Sequence, residues 1–232
     1  MIKLEKINKT YKTGKTSFHA LKDIDLNIEQ GEFVAILGKS GSGKTTLLNI
    51  IGLLDVFDEG TYTLNNMDVG KMSENKKADL RNGSIGVVLQ DYSLINHKSV
   101  LFNVKLPLYF NKGCSYFNMK KKSMEMLKLM GIDDQAGKKA INISGGQRQR
   151  AAIARAMICE PDIILADKPT GALDSRTADE IMDTIAGLNK KGVTVIIVTH
   201  DLDVAKRCNR VIEIMDGKIV RDEIMQEMLV EV

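Results

Sequence analysis

The octapeptide GKSGSGKT, Gly38 to Thr45, limits what this chain can fold into more than any other stretch. It follows EFVAIL, a nearly all-apolar run of the kind a strand covered on both faces requires, and it opens a helical pattern over 43–53. A glycine-rich turn between such a strand and a helix fits G-x-x-x-x-G-K-[ST], in which backbone N–H groups and a helix N-terminus close around phosphate. Gly38, Ser40, Gly41, Ser42 and Gly43 belong to that cradle, and Thr46 follows it into the helix. Lys44 offers a positive charge to the β and γ phosphates, and the Thr45 hydroxyl suits Mg²⁺, which takes oxygen ligands. A nucleoside triphosphate is the expected ligand.

The base is expected to be adenine. The Asn-Lys-x-Asp element that reads guanine is missing, since NKKAD at 75–79 has the wrong spacing. Tyr11, expected in a polar loop after the first strand, offers a ring on which adenine can stack; capping of a small sheet is its competing role.

IKLEKI, ALKDIDLNI, TYTLNN, SIGVVL, DIILAD, VTVIIVT and RVIEIM read as further strands. Several alternate with helical patterns at 145–159 and 175–190, which implies an α/β fold with a largely parallel sheet. Between Gln90 and Arg155 no long strand is evident. KKKSMEMLKLMG there places Met124, Leu127 and either Leu129 or Met130 at helical spacing before a glycine, so this stretch is expected to form an inserted helical lobe. Its methionines read as core filler and Lys120 to Lys122 as a solvated helix start. Asp216-Gly217 marks a tight hairpin.

Length and composition agree with one domain: 232 residues, 44% of them hydrophobic. A net charge of +3 supplies no field that would favour nucleic acid, and no nucleic-acid partner is expected. Cys114, Cys159 and Cys208 match neither a disulfide framework nor a metal spacing, which suits a reducing cytosol. No apolar stretch reaches about eighteen residues and MIKLEKINKTYK has no signal-peptide core, so membrane spanning is expected of another chain.

ISGGQRQRAAIARAM, 143–157, makes a second glycine-rich helix start. One nucleotide does not need two such ends from one chain, but a second copy of the chain does. With this stretch the sequence resembles an ATP-binding cassette (ABC) ATPase subunit over nearly its whole length. GKSGSGKT resembles the Walker A loop, Gln90 the Q-loop glutamine, ISGGQ the family signature with Ile143 in place of the more usual Leu, and IILAD the Walker B strand. ALD at 172–174 resembles the D-loop, and His200 the switch histidine. Taken alone, Gln90 is a polar strand-end residue and His200 a strand-end histidine bonded to backbone; the order of the motifs is what gives them a role.

The resemblance implies a P-loop NTPase with a mostly parallel RecA-like sheet, a small antiparallel β-subdomain and an inserted helical subdomain. A single ABC ATPase domain over 1–232 is expected, with 1–90 and 158–232 as nucleotide-binding core and β-subdomain, and 91–157 as the helical part including the signature helix. It further implies two cassettes stacked head to tail. Ser144, Gly145 and Gly146 of one then cap the γ-phosphate held by the other, Gln147 and Asp174 count among the nucleotide-binding residues, and Thr45, Gln90 and Asp167 serve Mg²⁺. A groove around 90–112 would receive a helix of an integral membrane permease subunit, which places the chain on the cytoplasmic face of the cell membrane. Arg148, Arg150 and Arg155 read as a solvated or salt-bridged helix face. NIIGLLD and ADKPTGALDS resemble the cassettes of lipoprotein-release, macrolide-export and bacitracin-type antimicrobial peptide resistance transporters.

The sequence departs from the family at Lys168, where the residue after the Walker B aspartate is normally a glutamate that orients the attacking water. A protonated lysine cannot accept that water's proton. Three arrangements are open: Lys168 contacts the γ-phosphate, it repels Mg²⁺ at Asp167, or it swings outward and Asp174 or His200 serves instead. In the first two, hydrolysis is slow and an ATP-gated interaction subunit becomes the alternative to a transport ATPase.

Overall fold

The structure, a computed structural model, describes residues 1–14, 16–111 and 114–225. The apolar runs form a six-stranded sheet from β3 (Phe33–Leu37), β6 (Ile85–Val88), β7 (Ile163–Asp167), β8 (Thr194–Val198), β9 (Arg210–Met215) and β10 (Lys218–Ile224), in the order β10-β9-β3-β8-β7-β6. All neighbours pair in parallel except the β9–β10 hairpin, which turns at Asp216-Gly217. Both faces are covered, as the unbroken apolar pattern requires: Phe33 and Ala35 face one hydrophobic cluster, Val34 and Ile36 the other, and β7 and β8 alternate in the same way.

On one face lies a four-stranded antiparallel sheet, ordered β2-β1-β4-β5 from β1 (Ile2–Thr13), β2 (Thr16–Ile28), β4 (Glu59–Leu64) and β5 (Met67–Asp68). Its inner residues share a core with helix α1 (Lys44–Ile51). The β1–β2 ribbon runs beyond IKLEKI and ALKDIDLNI. Tyr11 therefore sits within a strand, paired with Phe18, and not in the expected loop. Residues 8–13 are polar throughout, so they carry no alternation to announce a strand; the backbone ladder with β2 holds them, with register shifts between Ile7 and Lys9 and between Lys9 and Thr10.

Between β6 and β7 the chain forms α3 (Val100–Lys105), α4 (Tyr116–Leu129) and α5 (Gly145–Met157), which pack on one another as a helical insert. Met119, Leu127 and Met130 are buried and Leu129 is exposed, which makes Met130 the core residue of that pair. The remaining helices are α2 (Glu74–Gly83), α6 (Ser175–Asn189) and the short α7 (Leu202–Ala205). NKKAD lies in α2, which buries none of its residues and so carries no apolar stripe. No helix among the described residues is long and apolar enough to cross a membrane.

Candidate functional site

The C-terminal ends of β3, β6, β7 and β8 carry Gly38, Gln90, Asp167 and Thr199 within two residues of their last strand positions. The turn from β3 into α1 is held by close backbone approaches that only glycine permits. A Cβ on Gly38 would lie 2.2 Å from the Ile214 carbonyl oxygen, and one on Gly43 would lie 2.5 Å from that of Ala20, both at positive φ. Gly43 is also the N-cap of α1 and provides no side chain to cap it. The first N–H groups of the helix are thus directed at the turn, where an anion is favoured. Ser40, Gly41 and Thr45 are exposed at this loop, while Ser42 is buried beneath it.

Lys44 is 6% exposed, and among the described residues its ammonium donates to neutral oxygens, at 2.6 Å to the Lys39 carbonyl and 3.4 Å to Ser42 Oγ. Burial, and then repulsion from Lys168, hold its pKa below the ordinary lysine value, with Asp167 opposing. Thr45 Oγ1 donates to Asp167 Oδ2 at 3.0 Å. Asp167 itself is buried, and its Oδ1 has no partner among the described residues. An orphaned carboxylate oxygen beside a hydroxyl fits a hard cation. No group of three His, Cys, Asp or Glu among the described residues could hold a metal, so this one carboxylate suits a cation that retains waters and shares phosphate oxygens. A cavity of about 420 Å³ joins Gln90 and Asp91 to Asp167 and Ala172.

Lys168 follows directly. Its N–H donates to the Val198 carbonyl at 2.8 Å, which extends the β7–β8 ladder by one step, and its φ of 45° turns the chain sharply there. The side chain is half-buried. It acts electrostatically on Lys44, and it lines a cavity of about 530 Å³ with Ser175, Thr199, His200 and Asp201. His200 is exposed, and Asp174 is engaged elsewhere: its carboxylate accepts the Thr177 N–H at 3.0 Å as the N-cap of α6. That bond, and then the Thr177 hydroxyl, hold its carboxyl below the usual range.

Tyr11 keeps an accessible ring, 37% exposed, with the Lys9 ammonium 5.0 Å from its centroid. Its hydroxyl donates to Asp55 Oδ2 at 2.6 Å and also interacts with Thr46 on α1, which ties the ring to the phosphate-loop helix. Asp55 ends the NIIGLLD stretch, but the sequence assigned it no role at the site. Burial opposes its ionisation, but bonds from Tyr11, Val56 and Lys9 hold its carboxyl below the usual range.

The signature forms a separate surface. Ser144 caps α5 in a reciprocal box: Ser144 Oγ accepts the Gln147 N–H at 3.3 Å, and Gln147 Oε1 accepts the Ser144 N–H at 3.0 Å. Gly146 abuts Thr177 at the start of α6, and Gly145 lies beside Tyr92. Tyr92, two residues after Gln90, was also missed; its ring carries the Arg148 guanidinium at 5.4 Å, and its carbonyl accepts from Arg155 at 2.9 Å. Arg150 pairs with Glu180 at 2.7 Å, so these arginines fasten the helix to its surroundings. Beside the lobe, Leu54, Ile85, Val87, Leu106, Pro107 and Phe110 line a largely apolar cavity of about 590 Å³. This groove overlaps the expected 90–112 only at its 106–110 wall.

Comparison with known proteins agrees with this architecture. The family model described as ABC transporter matches residues 21–171. The ABC transporter ATP-binding protein YvrO of Bacillus subtilis is 45% identical over 223 residues, covering 96% of this chain and 97% of that one. The macrolide export ATP-binding/permease protein MacB of Paracoccus denitrificans is 42% identical over 222 residues; these cover 96% of this chain but 33% of MacB. Among solved structures, the dimeric post-hydrolysis state of the ATP-binding cassette MJ0796 bound to ADP and Pi superposes with a TM-score of 0.91 at 44% identity, covering 97% of this chain and 99% of that one. A protein of that name from Methanocaldococcus jannaschii is 45% identical over 227 residues. With the phosphate loop, the buried acid and the signature helix in the order that family uses, the chain belongs to the ABC transporter family as an ATP-binding subunit.

Proposed function

We propose that the chain binds ATP with Mg²⁺, pairs head to tail with a second copy, and drives an integral membrane permease subunit from the cytoplasmic face of the membrane while turning ATP over slowly. The observation that carries this reading is the convergence of the Lys44 ammonium, the Thr45 hydroxyl and the unpartnered Oδ1 of Asp167 at one end of the parallel sheet. Lys44 would hold the β and γ phosphates, the cradle of Gly38 to Gly43 would donate backbone N–H groups, and Tyr11 would stack on adenine. Thr45, Asp167 and Gln90 would hold Mg²⁺, which when bound supplies neutralisation of phosphate charge. Ser144, Gly145, Gly146, Gln147 and Asp174 would face the second copy's nucleotide, and His200 the γ-phosphate. In this scheme 1–90 and 158–232 hold the nucleotide, while 91–157 carries the signature and one wall of the apolar groove. The MJ0796 dimer and the fused permease of MacB support such partners.

Lys168 sets the rate. It stands where a proton acceptor is needed, its ammonium acts on Lys44, and the nearby Asp174 is committed to capping α6. Lys168 adds positive charge near Lys44 but no proton acceptor, which supports ATP binding without general-base assistance to cleavage. The same observation supports a second reading, in which ATP binding alone gates the engagement of a partner. Both readings are tested by Lys168→Glu at saturating ATP, with phosphate release as the readout. Restoring a carboxylate acceptor should raise turnover by roughly 10² to 10⁴. Equal turnover in the two proteins would remove Lys168 from the catalytic position.

A further inference from the structure

The stretch from 92 to 124 contains no Asp or Glu, six Lys and one His, in a chain whose net charge is only +3. It also holds six aromatic residues of a total of five Tyr and six Phe. The fold gathers most of these on the outer side of the helical lobe. Phe102 and Tyr109 have ring centroids 6.5 Å apart, Tyr109 and Tyr116 again 6.5 Å, and Tyr116 and Phe117 6.4 Å, which makes a continuous ladder. The ladder is open to solvent: Tyr116 is 68% exposed and Phe117 91%, with Phe110 beside it at 69%. Lys98 lies 5.3 Å from the Phe102 centroid and Lys105 lies 5.2 Å from that of Tyr109. On α4, Lys120 and Lys121 follow Phe117 at i+3 and i+4, so they share its face. Lys122 is already paired with Glu160, and Lys112 lies outside the described residues.

We propose that this aromatic and lysine ladder binds the headgroup layer of an anionic lipid bilayer, so that the helical lobe rests on the membrane next to the groove for the permease. The proposal rests on the transporter reading for its location, but its chemistry is independent of nucleotide. Aromatic rings with one apolar and one polar end settle at the membrane interface, and lysines reach from there to anionic headgroups. A stretch of one charge sign complements such a surface. Single-stranded nucleic acid also combines stacking with positive charge, but it needs bare ring faces. Here lysines cover the faces of Phe102 and Tyr109, and the rings tilt at 43° and 46° to one another, which disfavours intercalated bases. Phe110, the residue after Tyr109 of the ladder, lines the apolar groove.

The test is flotation of the whole chain with vesicles of phosphatidylcholine alone, or of equal parts phosphatidylcholine and phosphatidylglycerol. Binding is expected only to the anionic vesicles and should weaken as salt rises. Each lysine at such a surface contributes about five-fold in partitioning, so Lys105→Glu with Lys120→Glu should reduce it by more than about ten-fold. Tyr116→Ser with Phe117→Ser should weaken it at any salt concentration. These residues lie outside the nucleotide site, so ATP binding should be unchanged in both variants, which separates failure here from failure of the transporter reading. Equal binding to both vesicle types, no binding to either, or unchanged binding by the variants would overturn the proposal. So would tighter retention by oligo(dT) than by anionic vesicles.

Discussion

The N-termini of α1 and α5 are both glycine-rich, yet they are finished in opposite ways. At α1 the cap is Gly43, which supplies no acceptor, and backbone contacts at Gly38 and Gly43 fix the turn before any ligand arrives. At α5 the cap is Ser144, whose box with Gln147 satisfies the N–H groups of both residues and leaves those of Gly145 and Gly146 outside it. A helix end with unmet donors in a fixed turn is a ligand site complete within one chain. A helix end that caps itself is stable on the surface alone, and can wait for phosphate brought by a second copy. The side chains around them differ to match. Lys44 stands at the first end with Lys168 acting on it electrostatically, whereas Arg148 and Arg150 at the second are committed to Tyr92 and Glu180.

The sharpest way to break this contrast is to remove the charge at the α1 end. Lys44→Ala should weaken ATP binding by about 10- to 100-fold, since bonds to charged groups contribute ~1.5–3 kcal/mol each. Isothermal titration measures it, and equal affinity would mean that the loop holds phosphate through backbone alone. At the α5 end, Ser144→Ala should leave the affinity of the monomer for ATP unchanged, because Ser144 would meet only the second copy's nucleotide. It should cost ~1 kcal/mol of stability through the lost cap, read as a fall in Tm of about 2–4 °C. A variant with unaltered Tm would mean that the box is not what stabilises this end.

A smaller effect concerns pH. The form of Lys44 proposed to bind phosphate is the ammonium, which is present below its pKa and lost as pH rises through it. Because burial and Lys168 lower that pKa in the nucleotide-free protein, ATP affinity should begin to fall at a lower pH than an ordinary lysine would allow. Lys168→Ala removes one of the two lowering causes. The fall should then shift to higher pH, in affinity measured across the alkaline range; a profile that does not move would separate the two ammonium groups.

The parallel core was legible because burial on both faces leaves an unbroken apolar run, as in FVAIL and IILAD, and because the phosphate loop requires a strand before it and a helix after it. Helices α1, α5 and α6 were legible from their helical patterns, the first two also from Gly43 and Ser144 at their starts; the capping role of Asp174 was not. What stayed hidden had no side-chain periodicity to expose it. The outer half of β1, with Tyr11, is polar on both faces, and α2 has no fully buried residue, only Leu80 packed part-buried against the core. Asp55 and Tyr92 matter through partners 44 and 56 residues away, Tyr11 and Arg148, a relation that no local pattern encodes. The approach of Lys168 to Lys44 was open for the same reason: sequence placed the lysine after Asp167 but not the direction of its side chain.

Sedimentation velocity of the unaltered chain with ATP and Mg²⁺ tests most directly whether the two helix ends complete each other across two copies while Lys168 holds hydrolysis back. ATP alone should convert monomer into a dimer that persists, Ser144→Arg should remain monomeric although it still binds ATP, and Lys168→Glu should form a dimer that disperses as phosphate is released. A wild-type chain that stays monomeric when saturated with ATP, or a Ser144→Arg variant that dimerises as wild type does, would contradict the account.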